Sequence, residues 1–384
     1  MSFNEWAVPG LGGASFVRQL SWSCIGIALA DQMGKPTMAA QVAEGVEALA
    51  SWIALRRNKG YEKDRRVQGK RKFGSTVRLS FDDVRKRGAY VTVPFRRPAS
   101  SSLAGLGFCR KAEQRFSALK LDSPGLELVD AALGKNGARS DLLKWFSCPE
   151  KDFSQVSAEL SSALLPDYQS AQERQLVLRQ LQGFGEFAER RRNVMELLQG
   201  QLNLSLSDFD ASARAHFLYG IRSPEHRDRL DGSFALERVR LYALRCAQKI
   251  VDSFTGMARI AIADLVKMDG VARAFAELAE SSRLMREKLR LLPEPPIDIT
   301  QFCQEQDAQN ALADRFRYLV MRVPLLFALN GEQLTCHGRD RGRLVDEAEP
   351  GEAEMNLVTG DVPRPLWRLK WLLLDTTTEI LESP

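Results

Sequence analysis

Basic side chains, with two serines among them, are the residues of this chain whose chemistry is easiest to assign. Between Arg56 and Arg97 there are fifteen Lys or Arg and four Asp or Glu, a net charge of +11 in a chain whose total is +5. Guanidinium and ammonium groups neutralise phosphates, and a serine hydroxyl can hydrogen-bond to a base edge. This asymmetry favours a polyanion as the ligand. The candidate contacts are Arg85, Lys86, Arg87, Arg96, Arg97, Ser100, Ser101, Arg110, Lys111 and Arg115.

Helices and a hairpin must position these side chains. Ser80, followed by Asp82 and Asp83, has the composition of a helix N-terminus. Pro98 predicts the first turn of the next helix. In order, the pattern predicts a short helix ending near Gly88, a helix from Pro98 to Gly107, two strands within 108–121 around a basic tip at 110–114, and a helix capped by Asp122 or Ser123.

This order resembles the winged helix-turn-helix superfamily over residues 76–134. The resemblance rests on Leu106-Gly107-Phe108, on the basic tip, and on the cap Ser123-Pro124-Gly125. It implies that a recognition helix enters the major groove with Ser100 and Ser101 nearest the bases. Arg110 and Lys111 would lie at the tip of the wing, and they and the other basic residues named above would contact phosphate. DNA is therefore the expected partner.

The rest of the chain predicts a mainly α fold, in which the winged-helix module is embedded in a multi-helix protein with a long helical hairpin. Apolar residues at helical spacing over 16–28 predict a helix with one apolar face. A helix over 234–267 and its partner ending at Leu292 would form the hairpin. The expected divisions are an N-terminal helical segment (1–60), a basic linker (61–75), the winged-helix module (76–138), a helical domain (139–295) and a small C-terminal domain (296–384) with an acidic stretch over 346–361 and a last helix over 366–375.

Neither histidine nor cysteine is spaced for catalysis or metal binding. The three histidines are far apart, and the six cysteines stand singly. The sequence has no G-x-x-x-x-G-K-[ST] phosphate loop, and the Gly10–Gly13 segment lacks the preceding strand of a nucleotide fingerprint. We therefore expect no metal, no cofactor and no catalytic residue. We see no signal peptide, and no apolar run approaches the ~20 residues of a membrane span, so a cytoplasmic protein without membrane contact is expected.

Three hypotheses follow. The first is a non-enzymatic DNA-binding protein or the DNA-binding subunit of a larger bacterial complex; the architecture resembles kleisin subunits of condensin-type complexes, and accessory subunits of phage-defence systems are a further possibility. The second is an interaction scaffold whose winged helix binds a partner protein. The third is an enzyme whose site is formed by carboxylates distant in sequence. In each case the helical domain over 139–295 could bind further proteins or a second copy of the chain.

Overall fold

The computed structural model describes residues 3–57, 59–73, 75–86, 89–110, 115–134, 137–150, 152–153, 156–200, 209, 211–292, 294–324, 326–337 and 362–377. The described part is mainly helical, as the sequence predicts. Internal packing divides the chain into two units. The N-terminal unit covers Ser2–Ser205 and Pro365–Pro384, and the hairpin unit covers Leu206–Ala348 and Glu352–Arg364.

The N-terminal unit consists of short and medium helices with two small antiparallel sheets. Its helices are α1 (Phe3–Ala7), α2 (Val17–Gln32), α3 (Ala39–Arg57), α4 (Lys70–Phe73), α5 (Phe81–Arg85), α6 (Arg96–Gly105), α7 (Ser123–Leu133), α8 (Ala138–Ser147), α9 (Ala158–Leu164), α10 (Ala171–Gly183) and α11 (Ala188–Gln199). The strand pairs are β1 (Leu79–Ser80) with β4 (Asp152–Phe153), and β2 (Cys109–Arg110) with β3 (Lys120–Leu121). Single 3-10 turns occupy Pro36–Met38, Lys59–Lys63 and Phe116–Ala118.

The core of the N-terminal unit is built around α2 and α3. The sequence predicts one apolar face for α2, but thirteen of its sixteen residues are buried, because neighbouring helices cover it on several sides. Gly26 permits the close approach of α3, since a Cβ at this position would lie 2.4 Å from the Cα of Ala43. The polar residues of α2 bond within the core; Ser23 Oγ, for example, donates to the carbonyl of Gln19 at 2.9 Å.

The predicted basic linker over 61–75 is instead a packed segment in the part of the chain that the structure describes. Tyr61, Val67 and Phe73 are all buried in the unit. The guanidinium of Arg66 forms ion pairs with Asp64 at 2.8 Å and with Asp375 at 3.0 Å. The charge pattern suggests a solvated linker because three widely spaced apolar residues are inconspicuous among six Lys or Arg.

The hairpin unit contains two long helices that pack side by side. Its helices are α12 (Ala211–Tyr219), α13 (Pro224–Ser253), α14 (Ile262–Leu265), α15 (Asp269–Leu289), α16 (Ile297–Glu305) and α17 (Leu312–Met321). The strands β5 (Arg259–Ala261), β6 (Phe327–Asn330) and β7 (Gln333–Cys336) form an antiparallel sheet in the order β5-β7-β6. Helices α13 and α15 form the hairpin.

The boundaries of the first hairpin helix differ from the prediction of 234–267. Helix α13 begins ten residues earlier, where Ser223 Oγ accepts from the backbone N–H of His226 at 3.3 Å and caps the N-terminus. It ends at Ser253, and Gly256 follows with φ of +79°. Residues 259–261 then pair with β7 as a strand. Of the apolar residues after 253, Ile260 therefore belongs to a sheet, whose pairing with residues 333–335 no local pattern could indicate, and Leu265 belongs to the separate short helix α14.

The last helix, α18 (Arg364–Thr377), was expected to belong to the small C-terminal domain. It packs instead in the N-terminal unit from Pro365 onwards. Asp375 Oδ2 accepts from the backbone N–H of Val17 at 2.8 Å, so the carboxylate caps the N-terminus of α2. The guanidinium of Arg65 stacks over the ring of Trp371 at 4.3 Å. The N-terminal unit is therefore assembled from both ends of the described chain.

Among the described residues, no helix is both long and apolar enough to cross a membrane.

Candidate nucleic-acid interface

Helix α6, the predicted recognition helix, is fixed at its N-terminus by two glutamates of α3. Both oxygens of Glu47 accept backbone N–H groups, from Phe95 at 2.9 Å and from Arg96 at 2.5 Å. Glu44 forms an ion pair with the guanidinium of Arg96, which also lies 5.5 Å from the centroid of the Phe116 ring. Arg96, predicted to contact phosphate, is thus held by the fold.

Glu47 is fully buried beneath this helix end. Burial raises the pKa of its carboxyl to about 8, although the two N–H donors and the nearby charge of Arg96 lower it. Because α3 contributes the carboxylate and α6 contributes the donors, Glu47 joins the core of the unit to the helix that carries Arg97, Ser100 and Ser101.

One side of α6 is covered by the Gly10–Gly13 loop. The backbone N–H of Gly13 donates to the carbonyl of Pro98 at 2.9 Å. The buried Ser102 Oγ donates to the carbonyl of Leu11 at 2.6 Å and accepts from the N–H of Ala14 at 3.0 Å. A Cβ at Gly12 would lie 2.4 Å from Ser101 Oγ. These glycines serve close packing against the small residues of α6.

The two serines predicted to lie nearest the bases hydrogen-bond within α6. Ser100 Oγ donates to the carbonyl of Arg97 at 2.9 Å, and Ser101 Oγ donates to that of Pro98 at 3.5 Å. Ser101 is exposed and Ser100 is half-buried. Their role in reading bases stays a prediction.

A short hairpin follows α6, as predicted, but its second strand is shorter than expected. Residues 116–118 form a 3-10 turn, and only Lys120 and Leu121 pair with β2. Arg110 lies directly opposite Lys120 in this register, and both residues are exposed. Asp122 Oδ1 accepts from Arg110 Nε at 2.5 Å, yet the arginine side chain remains 83% exposed.

The remaining predicted contacts in the described part of the chain are all exposed, and two of them also form ion pairs with nearby acids. Arg85 pairs with Asp82 at 2.5 Å and Lys86 with Asp83 at 2.8 Å. Arg97 and Arg115 are exposed, and neither takes part in an ion pair among the described residues. Arg87 and Lys111 lie outside the part of the chain that the structure describes.

Sequence reasoning did not include Lys120 among the candidates. The available signal was its place in the second strand of a hairpin whose first strand carries Arg110, since antiparallel pairing sets residues of one face side by side. The exposed cations of α6 and the β2–β3 hairpin are therefore Arg97, Arg110, Arg115 and Lys120. The N-terminal unit supports them electrostatically, because residues 2–205 contain thirty Lys or Arg and twenty-one Asp or Glu.

Carboxylates also converge in the N-terminal unit, but with structural partners. Asp64 and Asp375 both accept from Arg66, and Asp167 accepts from the hydroxyl of Tyr61 at 2.5 Å. Within the described ranges, no group of three or more His, Cys, Asp or Glu could hold a metal ion.

A cavity of about 410 Å³ opens beside the buried Arg18. Small residues of α7 and α9 form much of its wall, including Ala131, Ala158 and Ala163. The guanidinium donates to the carbonyls of Ala163 and Tyr168 and forms an ion pair with Glu173 at 3.3 Å. Desolvation lowers the pKa of Arg18, and the charge of Glu173 opposes this effect. Arg18 thus ties α2 to α9 and α10.

No protein-family model, no curated protein and no solved structure matches this chain. The assignment of function therefore depends on the chemistry of the surface.

Proposed function

We propose that the protein binds DNA without catalysing a reaction on it, through the surface formed by α6, the β2–β3 hairpin and the 3-10 turn before β3, used as a winged-helix module. The observation that carries the proposal is the set of exposed cations Arg97, Arg110, Arg115 and Lys120, which lies on consecutive elements of a unit with excess positive charge. Phosphate contacts of this kind supply most of the affinity of non-specific binding.

The existing ion pair of Arg110 does not oppose this role. Pairs between exposed side chains are worth little in water, so Arg110 can exchange Asp122 for a phosphate at small cost. Arg96 behaves differently, because Glu44 and the Phe116 ring hold it in a half-buried position. Its contribution is to orient α6, and the phosphates would meet Arg97 beside it.

Fluorescence anisotropy of a labelled 20-base-pair duplex, titrated at 50 mM and 200 mM salt, tests the proposal. The wild-type protein should bind at low salt and lose affinity steeply at the higher salt, because binding releases counterions. A variant with Arg97, Arg110, Arg115 and Lys120 all changed to alanine should bind at least about tenfold more weakly at 50 mM salt, with a shallower salt dependence.

The matched control removes the same charge from the hairpin unit, by changing Arg245, Lys249, Arg273 and Arg283 to alanine; all four residues are exposed. This control should bind like the wild type. Equal weakening of the two variants would mean that net charge alone controls binding. The absence of binding by folded wild-type protein at 50 mM salt, to this duplex and to a single strand of the same length alike, would contradict the proposal.

A second candidate function, docking of a protein partner, is favoured by exposed apolar residues of the hairpin unit. Leu291 after α15 is 65% exposed, and Ile297 at the start of α16 is 81% exposed. A second copy of the chain is the simplest occupant to test. Sedimentation equilibrium should then show concentration-dependent dimers that a Leu291→Ser/Ile297→Ser variant does not form, and a wild-type monomer at all concentrations would contradict self-association.

A further inference from the structure

An exposed phenylalanine stands beside the base of the β2–β3 hairpin. Phe184, in the turn between α10 and α11, remains 42% exposed. Its ring lies against the backbone of Gly107, because a Cβ at that glycine would come within 2.4 Å of Cδ2 and Cε2 and within 2.8 Å of Cγ. Gly107 also has φ of +75°, a conformation that favours glycine. The ring thus covers a glycine on one side and meets solvent on the other.

The backbone of the turn that carries this ring is fixed by hydrogen bonds from the buried Arg191. Arg191, which is buried, donates from Nε to the carbonyl of Leu181 at 2.9 Å and from Nη2 to the carbonyl of Phe184 itself. Its Nη1 donates to the carbonyl of Pro9 at 2.8 Å, which ties the turn to the N-terminal loop. The backbone N–H of Phe184 donates to the backbone carbonyl of Gln180 at 3.1 Å. An apolar ring on a fixed backbone loses little entropy when a ligand contacts it.

The flanking residues leave the ring accessible. Gly183 and Gly185 stand on either side of it, and apart from their chain neighbours and the backbone of α10 no described atom lies within 4 Å of a Cβ placed at either position. A flat, rigid aromatic surface with open space around it is suited to stacking on another planar group. Successive bases of single-stranded nucleic acids stack in this way on protein aromatics.

The charges near the ring suit a nucleic acid. Gly107 is three residues before Arg110, which pairs across the hairpin with Lys120. The exposed Arg192 donates from Nη1 to the carbonyl of Gln182, two residues before Phe184, at 2.6 Å. Glu186 is exposed nearby and opposes them in part. A backbone that runs past Arg110 and Lys120 could set one base against Phe184.

We propose that Phe184 is a stacking platform for an unpaired base, and that the surface beside the β2–β3 hairpin therefore binds single-stranded nucleic acid in preference to duplex. This inference rests on the proposed function, and it specifies the ligand further. In a duplex both faces of an internal base are already stacked, so Phe184 gains nothing from it. In a single strand the base is free to stack.

Anisotropy titrations with two labelled probes at 50 mM salt test the inference: a 15-nucleotide oligo-dT strand and a 15-base-pair duplex. Phe184→Ala should weaken binding of the single strand by about 5-fold to 150-fold, the contribution of stacking on one base. Binding of the duplex should stay unchanged. Phe184→Trp should preserve or strengthen binding of the strand, because a larger ring stacks at least as well.

Two control variants separate stacking from a general loss of apolar surface. Leu126 in α7 is an exposed apolar residue of the same unit, and Tyr219 in α12 is an exposed aromatic residue of the hairpin unit. Leu126→Ala and Tyr219→Ala should leave the affinity for oligo-dT unchanged. Because Leu126, Tyr219 and Phe184 are all exposed, each of these variants should fold like the wild type. Circular dichroism checks that the helical content is unchanged.

The outcomes distinguish failure of the inference from failure of the proposed function. If the wild type binds either probe and Phe184→Ala binds both as tightly as the wild type, the stacking role is wrong while nucleic-acid binding stands. Equal weakening of strand and duplex by Phe184→Ala would also overturn the preference for unpaired bases. If the folded wild type binds neither probe at 50 mM salt, the proposed function and the inference both fail.

Discussion

The N-terminal unit and the hairpin unit use arginine differently, although each contains a buried arginine with a distant partner; in the hairpin unit this is Arg315, which donates to the carbonyl of Phe275 at 3.1 Å. In the N-terminal unit, buried arginines join segments far apart in the chain: Arg18 reaches residues 162–173, and Arg191 reaches Pro9. In the hairpin unit many arginines pair with acids one helical turn away, as Arg283 does with Glu280 and Glu287. The long-range contacts of buried arginines hold the tertiary structure together, whereas the ion pairs within one helical turn lie on the surface of a helix.

A count of basic residues therefore combines two kinds of cation: those that the fold already holds and those that are exposed to a ligand. Arg96 and Arg97 are adjacent in sequence and identical in type, yet Glu44 holds the first while the second is exposed. A cation that already has a buried or half-buried partner must break that interaction before it can bind a ligand. The excess charge of the N-terminal unit is therefore larger than the charge it can offer to a polyanion.

The strongest test of this contrast removes the partner of the most buried arginine. Glu173→Gln leaves the guanidinium of Arg18 buried without its counter-ion, which should cost about 3–5 kcal/mol of unfolding free energy. All six tryptophans, at positions 6, 22, 52, 145, 367 and 371, lie in the N-terminal unit. Denaturant titration followed by tryptophan fluorescence therefore reports on this unit specifically. A change below about 1 kcal/mol, as for a surface pair, would contradict the contrast.

A pH series addresses the buried Glu47. Its carboxyl pKa is raised to about 8 from the usual range near 4.5. The folded state thus holds this proton more tightly than the unfolded state, so the stabilisation is complete below about pH 4.5 and is lost as the pH rises through 8. The unfolding free energy of the N-terminal unit should fall with pH in this window, by up to ~1.4 kcal/mol per pH unit.

Glu47→Gln should flatten that dependence, because glutamine cannot ionise. The neighbouring charged groups are Glu44 on α3 and Arg96 on α6, so Glu44→Gln is the matched control and should retain the slope. Equal slopes in the wild type and in Glu47→Gln, measured by tryptophan fluorescence between pH 5 and 8.5, would assign the pH dependence to another group.

Glycine-to-alanine substitutions compare the packing of the two units. Gly26→Ala would place a Cβ 2.4 Å from the Cα of Ala43 and force α2 and α3 apart, at a cost of about 1–3 kcal/mol. Gly270→Ala in α15 meets open space, so the higher helix propensity of alanine should stabilise the hairpin unit by up to ~1 kcal/mol. Tryptophan fluorescence measures the first variant, and circular dichroism at 222 nm measures the second. Destabilisation of similar size in both would contradict the comparison.

The smallest change in stability is expected when exposed ion pairs of the hairpin unit are removed. Arg283→Gln removes contacts with Glu280 and Glu287 on the surface of α15. Water and salt screen such pairs, so the thermal unfolding curve of this variant should overlay that of the wild type. A clear loss of stability would show that local pairs matter to this unit as much as buried ones do to the other.

Local signals in the sequence were sufficient to predict several elements of the interface. Ser80 caps α5 by accepting from the N–H of Asp83, and Pro124 lies in the first turn of α7. The interruption of the α10–α11 region by glycines was visible in the same way. These features depend on residues within one helical turn of each other, which is why a pattern can reveal them.

Long-range pairing could not be deduced from the same patterns. The anchor of α6 is a glutamate 49 positions earlier in the chain, and the cap of α2 is an aspartate 358 positions later. Phe184 was also missed, although its place between two glycines was a sequence signal for an exposed turn. Sequence alone gave the types of side chain at the interface, whereas the structure shows which of them the fold already occupies.

The position of α18 has a consequence for how the molecule is made. During synthesis, the residues of α2 leave the ribosome before the whole hairpin unit, while Asp375, the carboxylate that caps α2, leaves after it. The N-terminal unit therefore cannot complete its set of contacts until α18 has been synthesised, whereas the hairpin unit has all of its described strands and helices available by residue 336. The later-synthesised unit can thus reach its native state first, and the earlier one closes around α18 only after translation has passed this helix.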